Sequence, residues 1–162
     1  MKKKRGFEIV SKYLNQGLII PKRATEGSAG YDFSSAVDIT IPSIWKQSKE
    51  DSDILASTLV ATGIKAYMPE NEYLMLVNRS SNPLKRNLTL PNGIGIIDSD
   101  YYDNPNNEGE IFVQLINYGL KDYEIKKGER IAQGIFSNYQ TIDDEEKSLN
   151  KRTGGFGSTG EH

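Results

Sequence analysis

The stretch LTLPNGIGIIDSD, residues 88–100, carries the strongest indication of how this chain folds. Pro91, Asn92 and Gly93 are turn-forming residues with an apolar run on each side, so the stretch predicts a β-hairpin. The returning strand contains two glycines, at Gly93 and Gly95. Because glycine has no side chain, a ligand can approach the backbone of this strand closely.

Two carboxylates, Asp98 and Asp100, close the stretch. Side chains alternate along a strand, so the spacing predicts that both lie on one face. A slot lined by backbone and ending in carboxylates suits recognition of a flat polar ring with hydrolysis beside it. A buried hairpin followed by two solvated acids explains the same residues, and this alternative stays open here.

Composition excludes several classes of chemistry. The chain has 162 residues, which suits one domain, and 36% of them are apolar, which leaves room for burial against partner subunits. There is no cysteine, and the one histidine is His162, so disulfides, thiol nucleophiles, Cys/His zinc sites and a Ser-His-Asp triad are excluded. Catalysis must then use carboxylates, hydroxyls, Arg or Lys, backbone amides or a hard metal ion.

Charge and hydropathy limit partners and location. Twenty basic and 22 acidic residues give a formal charge of -2, so no basic excess favours nucleic-acid binding. No apolar run is long enough to cross a membrane, and the basic head MKKKR is not followed by the apolar stretch of a signal peptide. We therefore expect a protein without nucleic-acid or membrane partners in the cytoplasm, or in the host cytoplasm if a phage encodes it.

Strand signals recur along most of the chain. About eight to ten short strands with almost no helix predict an all-β sandwich, jelly roll or barrel. The segments EIFVQLINYG and YEIKKGERIAQGIF are predicted to pair through a turn around Gly128. Polar residues 43–56 predict a surface loop or one short helix, and SSNPLKRN predicts a short helical turn with Ser81 or Asn82 as its cap.

The last part of the chain differs from the rest. Residues 1–142 are predicted to form the β domain, and 143–162 a mobile arm, because this tail is charged and then rich in Gly, Ser and Thr. Its segment RTGGFGSTG combines a free backbone with Arg152, hydroxyls and the aromatic ring of Phe156. That composition favours a lid that closes over a phosphate chain and stacks a ring on a base, although a disordered linker has the same composition.

Two internal segments are candidates for phosphate binding. Arg79, Ser80 and Ser81 follow a strand and precede the helical turn, so an arginine fork, two hydroxyls and helix-start N–H groups predict a phosphate cradle. A capped turn explains the same residues. In GERIAQG, Gln133 has an amide that can bind a ligand, whereas Arg130 can make an ion pair; a structural role is open for each.

The order of these segments is more specific than any one of them. SAGYDF at 28–33, RSS at 79–81, NGIGIIDSDY at 92–101, GERIAQ at 128–133 and RTGGFGSTG at 152–160 resemble the five ordered motifs of the trimeric deoxyuridine triphosphatase (dUTPase) family. The resemblance extends over nearly the whole chain from about residue 20.

The resemblance implies a fold and a reaction. The family has a distorted jelly-roll (β-clip) fold and forms a homotrimer with swapped C-terminal arms and three active sites at subunit interfaces. It hydrolyses dUTP to dUMP and pyrophosphate with Mg²⁺, which keeps uracil out of DNA and supplies dUMP for dTMP synthesis. By resemblance, Asp98 orients and deprotonates the water that attacks the α-phosphorus, and Asp32 lies near the water shell of the metal.

The resemblance also assigns the substrate contacts. The backbone of Asn92, Gly95 and Ile97 would read uracil, Tyr101 would pack on the deoxyribose, and Phe156 of the arm would stack on the base. The remaining matched residues would bind phosphates: Arg79, Ser80, Ser81, Gln133, Arg152, Gly157, Ser158 and Thr159.

Four departures from the family pattern stand out. Asn78 replaces the proline or glycine that is common before the Arg-Ser pair, and Arg152 lies one residue closer to the glycine pair than in many members. The segments 102–109 and 43–56 are longer than usual. These two insertions are candidate surfaces for a regulatory protein partner.

Two rival functions remain. A dCTP deaminase has the same fold and an Arg-Ser-Ser stretch, but it needs a glutamate where this chain has Gln114, and an amide cannot shuttle protons. A dUTPase-like protein that regulates another protein is the second rival. The retained Asp98, Arg79 and glycine-rich tail argue against a role without catalysis.

Overall fold

The computed structural model describes residues 3–47 and 54–145 of the chain. In this part of the chain almost all regular structure is β-strand, which confirms the predicted all-β class, with more and shorter strands than expected. The strands are β1 Gly6–Ile9, β2 Lys22–Arg23, β3 Tyr31–Ser34, β4 Ile39–Ile41, β5 Thr58–Ala61, β6 Ile64–Tyr67, β7 Glu72–Val77, β8 Leu88–Thr89, β9 Ile94–Asp98, β10 Phe112–Asn117, β11 Tyr123–Ile125 and β12 Arg130–Asn138.

Short helical segments join some of the strands. They are 3₁₀ turns at Ser11–Tyr13, Ile44–Lys46 and Ser99–Tyr101, and one π-helical turn at Asn82–Arg86. Pro83 opens the π-helical turn as predicted, since proline fits the start of a helix, but the Ser81 side chain makes no capping bond. No helix of the described chain is long and apolar enough to cross a membrane.

The strands form four antiparallel sheets. The largest has five strands in the order β2-β3-β12-β7-β9, and smaller sheets have the orders β5-β10-β8, β1-β6 and β4-β11. Of the strand pairs in residues 3–47 and 54–145, β2 with β3 is the one whose members follow each other along the chain. Most pairing thus joins segments distant in sequence, as in a jelly roll.

The core lies between the large sheet and the smaller ones. β7 and β10 alternate strictly between buried and partly exposed residues, so each has one face inside. Leu74 and Leu76 of β7, Ile97 of β9, and Val113 and Leu115 of β10 belong to one buried cluster. Burial of these faces holds the long central strands in fixed register, which sets the positions of the residues at their ends.

The predicted hairpin at 88–100 is a turn between two sheets. The turn itself forms as expected, with Gly93 at φ +69° and its N–H donating to the carbonyl oxygen of Leu90 at 3.0 Å. However, β8 pairs with β10 whereas β9 pairs with β7, so the two strands do not pair with each other. The hairpin prediction was wrong because turn residues specify a reversal but not which strands then pair.

A second predicted pairing was also wrong. The turn at Gly128 forms, with φ +84° at that glycine and the Glu129 N–H donating to Lys126 O at 2.9 Å. The strands beside it are β11 and β12, and neither pairs with β10 through this turn, since β11 pairs with β4 and β12 with β3 and β7.

Candidate functional site

Asp32 connects two arginines at one end of the five-stranded sheet. Its Oδ1 accepts a hydrogen bond from Arg79 Nε at 2.9 Å, and its Oδ2 accepts one from Arg130 Nη1 at 3.0 Å. Arg79 follows β7 and Arg130 opens β12, so the pairing of β3, β12 and β7 brings the three side chains together. Two guanidinium groups on one carboxylate leave a net positive charge, which suits a polyphosphate.

Gln133 lies in the same row of the sheet. In β12 it stands opposite Asp32 on one side and Val77 on the other, and its Nε2 donates to the carbonyl oxygen of Asn78 at 3.0 Å. A Cβ at Gly30 would collide with the Gln133 side-chain oxygen. Gly30 therefore makes room for the side-chain amide of Gln133.

The hydroxyls of the second motif lie beside this group. Arg79 Nη1 donates to Ser81 Oγ at 3.2 Å, and Ser80 is exposed. The predicted contribution from helix-start N–H groups is not available at Asn82, because that N–H donates to Arg79 O at 2.9 Å. The arginine fork and the two hydroxyls are the groups of this segment that suit an anion.

Within residues 3–47 and 54–145, β9 forms one edge of the five-stranded sheet. Alternate residues of an edge strand direct their N–H and C=O groups away from the neighbouring strand, here β7. A Cβ at Gly95 would lie 3.3 Å from Leu76 Cβ and 3.7 Å from Asn92 Nδ2, so the space beside this glycine is narrow. The Ile97 side chain is part of the core, so this residue offers a ligand its backbone alone.

Asp98 ends β9 opposite Tyr73 of β7. By alternation it shares the outward face of the strand with Ile94 and Ile96, which are 50% and 53% exposed. Asp100 lies in the following 3₁₀ turn. The prediction that both carboxylates share one strand face therefore fails, because strand alternation ends at Asp98.

Tyr101 is buried within its own chain. The residue is 3% exposed, and its hydroxyl donates to Glu110 O at 2.6 Å. The hydroxyl oxygen of Tyr101 also accepts from Asn107 Nδ2 at 2.8 Å. The ring is thus packed away from the surface of its own chain, and the predicted contact with a deoxyribose stays a prediction. Burial raises the pKa of the Glu110 carboxyl, whose Oε1 accepts from Gly63 N at 3.2 Å.

The 102–109 insertion is bound to the body of the domain. Lys65 pairs with Asp103 and lies 3.6 Å from Glu108, and Glu108 accepts from Ser11 N at 3.1 Å. The hydrogen bonds from Ser11 lower the pKa of Glu108. These contacts make the insertion an integral part of the fold around Tyr101.

The structure brings some predicted residues together and separates others. Arg79, Asp32 and Gln133 form one group, but Asp98 lies opposite Tyr73, at the other end of β7. Arg79 lies six positions after Tyr73, which corresponds to roughly 20 Å at the rise of a strand. One chain thus holds the group of Arg79, Asp32 and Gln133 apart from the Asp98 carboxylate.

The site residues of the arm are outside the described residues. The predictions for Arg152, Phe156, Gly157, Ser158 and Thr159 therefore stay predictions.

No group of three or more acidic or histidine side chains that would hold a metal ion occurs in residues 3–47 and 54–145. Asp32 is the carboxylate predicted to lie near the metal. Each Asp32 oxygen accepts one hydrogen bond from an arginine N–H. Because a carboxylate oxygen has two lone pairs, each can accept one hydrogen bond more. The residue fits a role in hydrogen bonding to a metal-bound water, with the metal held mainly by the substrate.

Sequence reasoning missed the role of Asn78 within its own chain. Its side chain bonds to Thr89, Leu90 and Asn82, and its carbonyl oxygen accepts from Gln133. The unusual amide directly before Arg79 was the available signal. Its partners were not predictable, because they depend on where the turn after β8 passes.

These observations define a class of protein: an all-β, jelly-roll protein with an arginine–aspartate–glutamine group at one end of a sheet and an edge strand that ends in a carboxylate. The family model described as dUTPase matches residues 16–160. The chain is 48% identical to the deoxyuridine 5'-triphosphate nucleotidohydrolase of Lactococcus lactis, over 96% of this chain and 97% of that protein. The chain belongs to the dUTPase family.

Solved structures agree with this assignment. The crystal structure of the dUTPase from Streptococcus mutans superposes with a TM-score of 0.75 at 43% identity, over 85% of this chain and 98% of that one. A mutant dUTPase from phage phi11 of S. aureus, which coordinates a structural Mg(II) ion, has a TM-score of 0.67 at 16% identity, over 90% and 97% of the two chains. The second likeness concerns the fold.

Proposed function

We propose that this protein hydrolyses dUTP to dUMP and pyrophosphate, with Asp98 as the base that activates the attacking water. The observation that carries the proposal is the position of Asp98, at the end of an open edge strand that begins in a glycine turn. A carboxylate within reach of a water beside the α-phosphorus can take its proton as the bond to phosphorus forms. The pyrophosphate then leaves with the electrons of the broken P–O bond.

Uracil would bind along the edge of β9. The ring presents two carbonyl acceptors and one N–H donor, which edge-strand N–H and C=O groups can pair with. The narrow space beside Gly95 supports exclusion of the thymine methyl group. A fixed pattern of donors and acceptors would also reject the amino group of cytosine, because the unmatched polar groups would be buried.

The triphosphate would bind at the group formed by Arg79, Asp32 and Gln133. Arg79 contributes a fork of donors, Ser80 and Ser81 contribute hydroxyls, and Gln133 contributes an amide near the same place. Asp32 holds Arg79 in place by its hydrogen bond to Nε. When bound, Mg²⁺ would neutralise charge on the leaving pyrophosphate, and Asp32 would accept a hydrogen bond from its water shell.

The separation within one chain supports a site shared between subunits. Attack on the α-phosphorus needs the base and the phosphate contacts within a few ångströms, whereas Asp98 and Arg79 lie roughly 20 Å apart along β7. Between them, the outward side of the sheet exposes Ile94 and Ile96. Burial of this apolar face against another copy would bring the Asp98 of one chain to the Arg79 of another, as in a homotrimer.

The dCTP deaminase alternative receives no support from β10. Gln114 occupies the position where that reaction needs a glutamate, and its Nε2 donates to Ser57 Oγ at 2.8 Å. An amide that donates a hydrogen bond does not act as a proton shuttle at neutral pH.

A regulatory partner remains a proposal for one of the two insertions. The start of the 43–56 segment presents Trp45, which is 67% exposed while its indole N–H donates to Tyr118 O at 2.9 Å. A fixed and exposed aromatic ring suits a protein contact. The 102–109 segment, by contrast, is held on its own chain by Lys65 and Ser11.

Pyrophosphate release with Mg²⁺ from dUTP, dTTP, dCTP and UTP in parallel tests the proposed reaction. We expect turnover of dUTP with at least about a hundredfold preference over each of the others, since unpaired polar groups and steric clashes oppose them. Ammonia release from dCTP would support the deaminase instead. Binding of dUTP without turnover of any nucleotide would support a regulatory protein.

Deleting residues 150–162 should lower kcat/KM for dUTP by about a hundredfold or more, because the arm is proposed to cover the phosphates and to stack Phe156 on uracil. The domain that carries the core ends before this segment. Kinetics and light scattering on the truncated protein measure the effect. An unchanged rate would refute the lid, and loss of the oligomer would show that the arm has a role in assembly.

The variant Phe156→Ala in the full-length chain separates two functions of the arm. It should mainly raise KM, because base stacking is lost while the phosphate contacts of the arm remain. A loss as large as that of the truncation would contradict this division.

A further inference from the structure

The Asn78 side chain joins the end of β7 to the turn that precedes β9. Its Oδ1 accepts from Leu90 N at 3.2 Å, and its Nδ2 donates to Thr89 Oγ1 at 2.9 Å. Leu90 is buried and begins the turn that Gly93 closes. The amide of Asn78 thus serves as a partner for a backbone N–H that has left the ladder of β8.

The backbone ladder alone does not fix this turn to β7. The pairing of β7 with β9 runs from Tyr73–Asp98 to Val77–Ile94 and stops there. The residue directly after β7 is Asn78, and its side chain contacts Thr89 and Leu90, which lead into the turn. The amide therefore extends the attachment of the turn by one step, past the last pair of the ladder.

The same residue also contacts the group of Arg79, Asp32 and Gln133 that is proposed to bind phosphate. Its carbonyl oxygen accepts from Gln133 Nε2 at 3.0 Å, and the following residue, Arg79, donates to Asp32 at 2.9 Å. A change in the position of Asn78 would therefore move both the turn before β9 and the groups proposed to bind phosphate. Thr89 and Leu90 are connected to Gln133 and Arg79 through this one residue.

We infer that Asn78 is a positioning residue that holds the uracil-reading turn in register with the phosphate-binding group. This inference rests on the proposed function and adds a specificity role within it. Side-chain hydrogen bonds to backbone fix a loop where no strand pairing does so. Asn92 of this turn contributes one side of the space beside Gly95, at 3.7 Å from a Cβ placed there, so loosening the turn would move Asn92 away and admit a larger pyrimidine.

The variant Asn78→Gly removes both side-chain hydrogen bonds to the turn, together with the long one that Oδ1 accepts from Asn82 Nδ2 at 3.5 Å. It keeps the carbonyl that Gln133 uses. We expect the ratio of kcat/KM for dUTP to that for dTTP to fall about tenfold, as loss of two modest hydrogen bonds implies. The variant Asn78→Asp should restore part of the ratio, since a carboxylate still accepts from Leu90 N and can accept from the Thr89 hydroxyl.

Gln47→Ala is the matched control. The Gln47 amide also makes one donated and one accepted bond to a loop, to Ile54 O and from Ala56 N, each at 2.6 Å. It is expected to leave the dUTP/dTTP ratio unchanged. Thermal unfolding of Asn78→Gly and Gln47→Ala measures how far each substitution lowers the stability of the fold.

A lowered melting temperature of Asn78→Gly with an unchanged dUTP/dTTP ratio would overturn the inference, because the residue would then only stabilise the fold. An equal fall of the ratio in Gln47→Ala would also overturn it. Failure of the proposed function is distinguishable, because the unmodified protein would then not release pyrophosphate from dUTP.

Discussion

Asp98→Asn should abolish turnover of dUTP while leaving the nucleotide bound. The asparagine has the same shape and keeps a hydrogen-bond acceptor for water, but an amide cannot take up the proton that the attacking water must lose. General-base catalysis contributes about 10²–10⁴-fold in rate, so we expect kcat to fall by about a thousandfold. Single-turnover kinetics measures the rate, and titration with a non-hydrolysable α,β-imido analogue of dUTP measures binding.

Asp100→Asn is the matched control for this variant. It makes the same chemical change two residues further along, in the 3₁₀ turn after β9 instead of at the end of the strand. Its kcat should stay within about threefold of the unmodified protein, as for a surface carboxylate. Comparable losses in both variants would mean that the charge of the segment matters and not a specific base. A near-normal rate in Asp98→Asn would remove the base assignment.

The parts of the fold that depend on local chemistry were predictable from sequence. Alternating apolar residues predicted strands, and Gly93 and Gly128 predicted turns that form with positive φ. Which strands pair was not predictable in the same way. β8 and β9 flank one turn but join different sheets, because the apolar faces of β7 and β10 must be covered and the choice is made by the whole core.

The candidate site shows the same division. The acidic and arginine residues were identified individually, and the contact of Asp32 with both Arg79 and Arg130 follows from the register of three strands that the sequence does not reveal. The buried position of Tyr101 was also not predictable. The Tyr101 hydroxyl is held by Asn107, within the 102–109 insertion, and by Glu110, directly after it, and no local pattern specifies the course of this insertion.

The distance between Asp98 and Arg79 leads to the sharpest test of how the site is built. Arg79→Ala should also lower kcat/KM for dUTP by at least about a hundredfold, because it removes the proposed guanidinium donor to the phosphates. Asp98→Asn and Arg79→Ala oligomers are then each nearly inactive. If both residues act within one chain, no mixture of the two variants contains an intact site.

If the site is shared, mixing the two variants should restore activity. After co-refolding or co-expression at equal amounts, random assembly gives about one quarter of the sites a normal Asp98 from one chain and a normal Arg79 from another. We therefore expect about a quarter of the activity of the unmodified protein, against almost none before mixing. Unmixed variants taken through the same treatment are the control. Absence of recovery from mixed oligomers, verified by differential tags, would contradict a shared site. It would then require both groups to meet within one chain through a movement of β9 against β7.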